Sequence, residues 1–157
     1  VNGLNFDSKT EAWRYVYLLA LLEAGSISNL VIQPEYTLRP SYTLSGKWYT
    51  PLKSGQPRTI SAEKYHPDFR YTWHTDSGNV TVIEEVKGLS KGKPYSKQAS
   101  NFKQYTLQAT IAHRDDMLFM IAAGRSNGSE WRYFQQSYSY PELDIEYTLP
   151  HAESEAA

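Results

Sequence analysis

Glu85-Val86-Lys87 sets a carboxylate and an ammonium two positions apart, after an apolar run containing Val80, Val82 and Ile83. Side chains on a strand alternate faces, so Glu85 and Lys87 share one side while Glu84 and Val86 take the other. Burying both charges without partners is costly. Two further acids have the means to reach them. Asp68, placed by Pro67, sits on the preceding strand, where hairpin pairing brings it beside Glu85. Glu11 sits on the core-facing stripe of a helix. Acids gathered this closely raise one another's pKa unless a cation neutralises them. Hard oxygen donors select Mg²⁺, with Mn²⁺ as its substitute. Such an ion acidifies a water and stabilises charge on a phosphodiester. Lys87 then orients that water or holds the phosphate as a point charge.

The elements that must position these groups follow from pattern. Residues 8–24 predict a helix, with Ser8 as cap, Glu11 three positions later and Gly25 at the C′ position. Its buried stripe runs through Glu11, Tyr15, Leu18 and Leu22. Residues 30–38 predict a strand, with Pro34 marking an edge or a bulge. A turn-rich stretch follows, read as a hairpin excursion. Residues 65–74 and 80–87 predict strands joined through Ser77-Gly78-Asn79. Residues 95–113 predict a second helix, with Phe102, Tyr105, Leu107, Ala109 and Ala112 apolar. Residues 117–123 form a continuous apolar run, as in a strand covered on both faces. Residues 131–138 and 143–149 predict two more strands. The fold class is therefore α/β (α+β): helix, three strands, helix and strand in a mixed sheet flanked by helices, with a C-terminal β extension. Residues 1–149 read as a single domain and residues 150–157 as a flexible tail.

Composition narrows the function classes. There is no cysteine, so disulfides, thiolate chemistry and Cys-ligated zinc are excluded. The longest apolar run, residues 16–22, is too short for a bilayer, and Asn2, Asn5 and Asp7 interrupt any secretory core. A cytoplasmic protein is expected, in the host bacterial cytoplasm if it is phage-encoded. The net charge of −1 conceals an uneven distribution. Six acids against Arg132 follow from Glu130 onward, whereas residues 1–129 carry +4. Residues 86–114 hold Lys87, Lys91, Lys93, Lys97, Lys103 and Arg114 and no acid. Such a stretch suits phosphates, with Lys91, Lys93, Lys97, Lys103 and Gln98 as DNA contacts, or else is a solvated face. The 13 Tyr and 4 Trp suit strand packing or base stacking.

Pro67-Asp68 followed by Glu85-Val86-Lys87 resembles the PD-(D/E)xK signature of restriction enzymes, Holliday-junction resolvases and transposase-associated endonucleases, which also place a Glu on the first helix. Phe6-Asp7-Ser8, Gln33-Pro34, Tyr65-His66-Pro67-Asp68-Phe69 and Glu84-Glu85-Val86-Lys87-Gly88 together are similar to a family of small bacteriophage proteins of that superfamily, over roughly residues 6–105. The resemblance implies a restriction-endonuclease-like core and a Mg²⁺-dependent DNA endonuclease acting on branched or phage-replication DNA. It implies metal ligation by Asp68, Glu85, Glu11 and the Val86 carbonyl, with catalysis by Glu11, Asp68, Glu85 and Lys87. The implied partners are DNA, phage or host replication and recombination proteins, and, for junction resolution, a second copy in a homodimer; no membrane is implied.

The same residues carry plainer readings. The lesser alternatives are Glu11 as a capping-box acid, Asp68 as a turn starter, and Glu85 with Lys87 as a cross-strand ion pair on a solvated face. A bulge would exchange Glu84 for Glu85. Two other function classes compete: a DNA-binding module of this fold without chemistry, and a structural protein of a virion or assembly. His113-Arg114-Asp115-Asp116 is kinase-like without a nucleotide loop, and His66 with His74 is a poor metal pair.

Overall fold

The computed structural model describes residues 5, 6, 8–95, 101–125 and 127–147. Two compact units emerge: Val1–Pro34 with Pro67–Ala157, and Glu35–His66 between them in sequence.

In the first unit, α1 (Lys9–Ala24) begins where the Ser8 hydroxyl accepts the Glu11 N–H at 3.1 Å. It ends at Gly25, whose φ of 81° is left-handed and lets its N–H reach the Leu21 and Leu22 carbonyls. The chain continues as β1 (Ile27–Ile32), and after the second unit as β6 (Phe69–Thr75) and β7 (Gly78–Ser90). Then follow β8 (Lys93–Pro94), α2 (Asn101–Ile111), β9 (Met117–Gly124) and β10 (Trp131–Phe134). The main sheet has the order β1-β6-β7-β9-β10, and β8 pairs with the far end of β7. Neighbours are antiparallel except β7 and β9, which run parallel with Glu85 opposite Ile121 and Lys87 opposite Ala123. The result is a mixed α+β architecture with a mostly antiparallel sheet, and β7 lies at its centre.

Alternation along β7 and β9 splits the burial between two faces. Val82, Val86, Met120 and Ala122 join Tyr15, Leu18 and Leu21 of α1, together with Phe69, Tyr71 and Tyr133. Ile121, Ala123 and Phe134 pack together in a second cluster, and α2 lies against β9. Each fully buried Leu or Phe contributes about 1.5–3 kcal/mol of transfer free energy.

Several expectations need correction. On α1, Leu22 is exposed and Leu21 takes its place inside, because the helix buries a broader arc that also contains Thr10 and Arg14. On α2 the buried residues are Gln104, Leu107 and Ile111, while Phe102 and Tyr105 are exposed. Part of the expected helical span, residues 96–100, lies outside the described residues. The 30–38 strand is two strands, interrupted at Gln33 (φ 50°) and Pro34. The strand expected over 131–138 stops at Phe134. Residues 143–147 form no ladder; past β10 the described residues hold one isolated bridge, Phe134 to Glu142, although Leu143, Ile145 and Tyr147 still alternate inward. The rest of the expected strand and the expected tail, residues 148–157, lie outside the described residues.

The second unit holds two short antiparallel pairs. β2 (Tyr36–Arg39) pairs with β5 (Glu63–Tyr65), and β3 (Tyr42–Leu44) pairs with β4 (Arg58–Ile60). The expected excursion is thus a hairpin within a hairpin. Among the described residues no helix is long and apolar enough to cross a membrane.

Candidate active site

β6 leaves the ladder at Phe69, paired with Glu84. One residue earlier, Asp68 lies outside the strand, and its side chain reaches the backbone of β7. Asp68 Oδ2 accepts the Val86 N–H at 2.7 Å. Its carbonyl accepts the Gln33 N–H at 2.9 Å, fixing the bend from the other side. The carboxyl also shares hydrogen bonds with the carboxyls of Glu85 and Glu11, and the charge of Lys87 acts on it. Glu11 and Glu85 are both buried, at 5% and 8% exposure. Helix α1, the bend before β6 and the centre of β7 therefore deliver Glu11, Asp68, Glu85 and Lys87 to one place.

The electrostatics of that place are unusual. Burial pushes the Asp68 carboxyl above the ordinary range, although the Val86 N–H, the two Glu carboxyls and Lys87 all pull it down. Carboxyls can hydrogen-bond one another only by sharing protons, and desolvation favours the shared, less charged state. Among the described residues no group of three or more His, Asp or Glu side chains stands arranged as an ion cage. Asp68 instead faces the Val86 N–H and the carboxyls of Glu85 and Glu11. Their chemistry nonetheless fits a hard divalent cation, because carboxylate oxygens are the donors Mg²⁺ and Mn²⁺ prefer.

Glu84 belongs to a different structure. It is fully buried on the opposite face, where Arg14 Nη2 donates to Oε2 at 3.0 Å and Nε donates to Oε1 at 2.5 Å. The Tyr71 hydroxyl donates to the same carboxylate at 2.6 Å. The Arg14 guanidinium lies 5.0 Å from the ring centres of Tyr17, Trp131 and Tyr133 and 5.8 Å from that of Tyr147. Glu84 is thereby committed, and the exchange of Glu84 for Glu85 does not occur. Arg14 escaped sequence reading, since an arginine on a helix gives no sign of burial without its distant partner. One signal was present: it lies three residues after Glu11, on the same face.

Of the expected DNA contacts, Lys91 and Lys93 lie at the β7–β8 turn and Lys103 lies on α2. Lys91 is exposed at the tip of the β7–β8 turn, where it (φ 52°) and Gly92 (φ 76°) make a two-residue left-handed turn. Lys93 donates to the Ser139 and Tyr140 carbonyls at 3.3 and 3.2 Å, so its ammonium ties β8 to that loop. Lys103 is half-buried on α2. Lys97 and Gln98 lie outside the described residues. His74 bonds Asn79 and Ser28, and within the 113–116 motif Arg114 pairs with Asp116.

The profile of the family described as protein of unknown function (DUF1064) matches residues 1–115. The chain belongs to the DUF1064 family. No curated protein and no solved structure matches it. All of Glu11, Asp68, Glu85 and Lys87 fall inside the DUF1064 match, as do Arg14 and Glu84. The aromatic wall around Arg14 from Trp131, Tyr133 and Tyr147 lies beyond it. In this DUF1064 chain the C-terminal extension therefore completes the burial of an ion pair whose two members lie in the matched segment.

Proposed function

We propose that this DUF1064 protein is a Mg²⁺-dependent DNA endonuclease built on a restriction-endonuclease-like core of the PD-(D/E)xK kind. One observation carries the reading: the Asp68 carboxyl gathers Glu11, Glu85, the Val86 N–H and the charge of Lys87 around itself. Asp68, Glu85, Glu11 and the Val86 carbonyl hold the cation, and Mn²⁺ substitutes for Mg²⁺. When bound, the ion supplies a more acidic water and a counter-charge for the phosphodiester. Asp68 keeps its orientation through the Val86 N–H, so the strand itself aims one ligand. Glu85 and Glu11 bring the remaining negative charge from buried positions. Lys87 holds the scissile phosphate or the attacking water as a point charge. Branched or phage-replication DNA, cut in the bacterial cytoplasm by a homodimer alongside replication and recombination proteins, is the setting this reading implies.

Supercoiled plasmid and four-way junction DNA incubated with Mg²⁺, Mn²⁺ or EDTA test it. Strand cleavage that needs the ion and disappears in Asp68→Asn supports the enzyme. DNA binding without cleavage under any divalent ion identifies a non-catalytic module instead. A chain that binds no nucleic acid at low salt returns the structural-protein reading.

A further inference from the structure

The second unit carries a charge pattern that the active site does not use. Residues 39–62 contain Arg39, Lys47, Lys53 and Arg58 and not one acid. Arg39 pairs with Glu63 at 4.0 Å. Among the described residues, none of Lys47, Lys53 and Arg58 pairs with a carboxylate. Beside these cations the β3–β4 connection exposes large apolar side chains. Trp48 is 84% exposed, and Tyr49 and Leu52 are about half exposed.

This connection is held in shape. Arg58 Nε donates to the Thr50 carbonyl at 2.9 Å, Leu52 N–H to the Gln56 carbonyl at 2.9 Å, and Gly55 N–H to the Leu52 carbonyl at 2.9 Å. The Lys47 ammonium stands 4.9 Å from the centre of the Trp48 ring. Next to it, Leu44, Tyr49, Pro51 and Pro57 line a cleft of 210 Å³. An indole left in water at such exposure forgoes the burial it would gain against a flat partner. The surrounding charge selects an anionic one. A chain of phosphates with accessible ring faces meets both requirements, whereas duplex DNA offers base edges and hides its faces.

We propose that the β3–β4 connection binds an unpaired DNA strand, with Trp48 stacking on a base and Lys47 and Lys53 neutralising flanking phosphates. The choice of DNA rests on the nuclease reading; the stacking and charge argument does not.

The test is fluorescence titration of the full chain with oligo-dT in EDTA at low salt, where no cleavage is required. Expected are quenching of the indole emission and affinity about tenfold weaker for Trp48→Ala, with Trp48→Phe recovering most of it. The slope of log affinity against log salt falls by about 0.7 for each lysine removed in Lys47→Ala and Lys53→Ala. Circular dichroism confirms that each variant folds, as its exposure predicts. Affinity unchanged in Trp48→Ala and in the double lysine variant overturns the proposal, as does equal loss on blunt duplex and oligo-dT. Self-association through this surface, seen as concentration-dependent sedimentation abolished by Trp48→Ala, overturns it too. Metal-dependent plasmid cleavage is scored separately, so failure here leaves the nuclease reading standing or falling on its own result.

Discussion

Glu84 and Glu85 are chain neighbours that face opposite sides of one strand, and each lies at the centre of a different arrangement. Glu84 accepts two hydrogen bonds from Arg14 on the α1 face, while Glu85 meets Asp68 on the other side. One carboxylate is structural and the next belongs to the candidate site.

Glu85→Gln is expected to leave the fold intact and abolish cleavage. Glu84→Gln strands the fully buried Arg14 charge and destabilises the fold by about 3–5 kcal/mol. Urea melts and plasmid cleavage on both variants separate the two roles. Equal stability losses would refute the division.

Glu11 has two functions carried by different atoms. Its N–H is capped by Ser8, and its carboxyl meets Asp68. Ser8→Ala should cost about 1 kcal/mol of stability with cleavage retained per folded molecule. Glu11→Gln should keep the cap and lose cleavage. A Glu11→Gln variant cutting at the wild-type rate would reduce Glu11 to a helix-start residue.

Asp68 is the strained member. Its carboxyl holds its proton more tightly folded than unfolded, because burial raises it against the pull of its partners. The associated stability is fully present below the ordinary carboxylate range and is lost as pH rises through the raised folded value. Asp68→Asn keeps an acceptor for the Val86 N–H and gains donors for the two glutamates. In EDTA, that variant should be the more stable protein at neutral pH, and its melting temperature should fall less than the wild type's between acidic and neutral pH. A less stable Asp68→Asn at neutral pH would contradict the charge argument.

Gly124 sits opposite Trp131 in the β9–β10 ladder, and a Cβ there would lie 2.5 Å from the indole Cε3. Since that indole also walls in Arg14, it has little room to move. Gly124→Ala should cost about 1–3 kcal/mol, read from the urea midpoint. A neutral result would mean that the ring shifts freely.

The local signals that were legible in sequence were those with a short-range cause. Ser8 and Gly25 bracket α1 because capping and left-handed geometry are decided within a turn. Glu85 and Lys87 could be put on one face because strand alternation is strict, and Asp68 could be put near them because the connecting hairpin is short. For Arg14 the sequence offers only its place on the face of Glu11, since its burial depends on Glu84, seventy positions away, and on rings beyond residue 130. The 143–147 segment shows the limit of period two. Alternation reports an extended chain with one side buried, and says nothing about whether a partner strand accepts its hydrogen bonds. Residues 39–62 hid their acid-free run within a chain of near-neutral total charge.

Calorimetric titration of Mn²⁺ into the wild-type chain and into Asp68→Asn, after EDTA treatment, probes the site without any assumption about substrate. Saturable binding in the wild type, accompanied by proton release from the raised Asp68 carboxyl and lost in Asp68→Asn, is the predicted outcome. Identical titrations for the two proteins, or no binding to either, would contradict a divalent cation held by Glu11, Asp68 and Glu85.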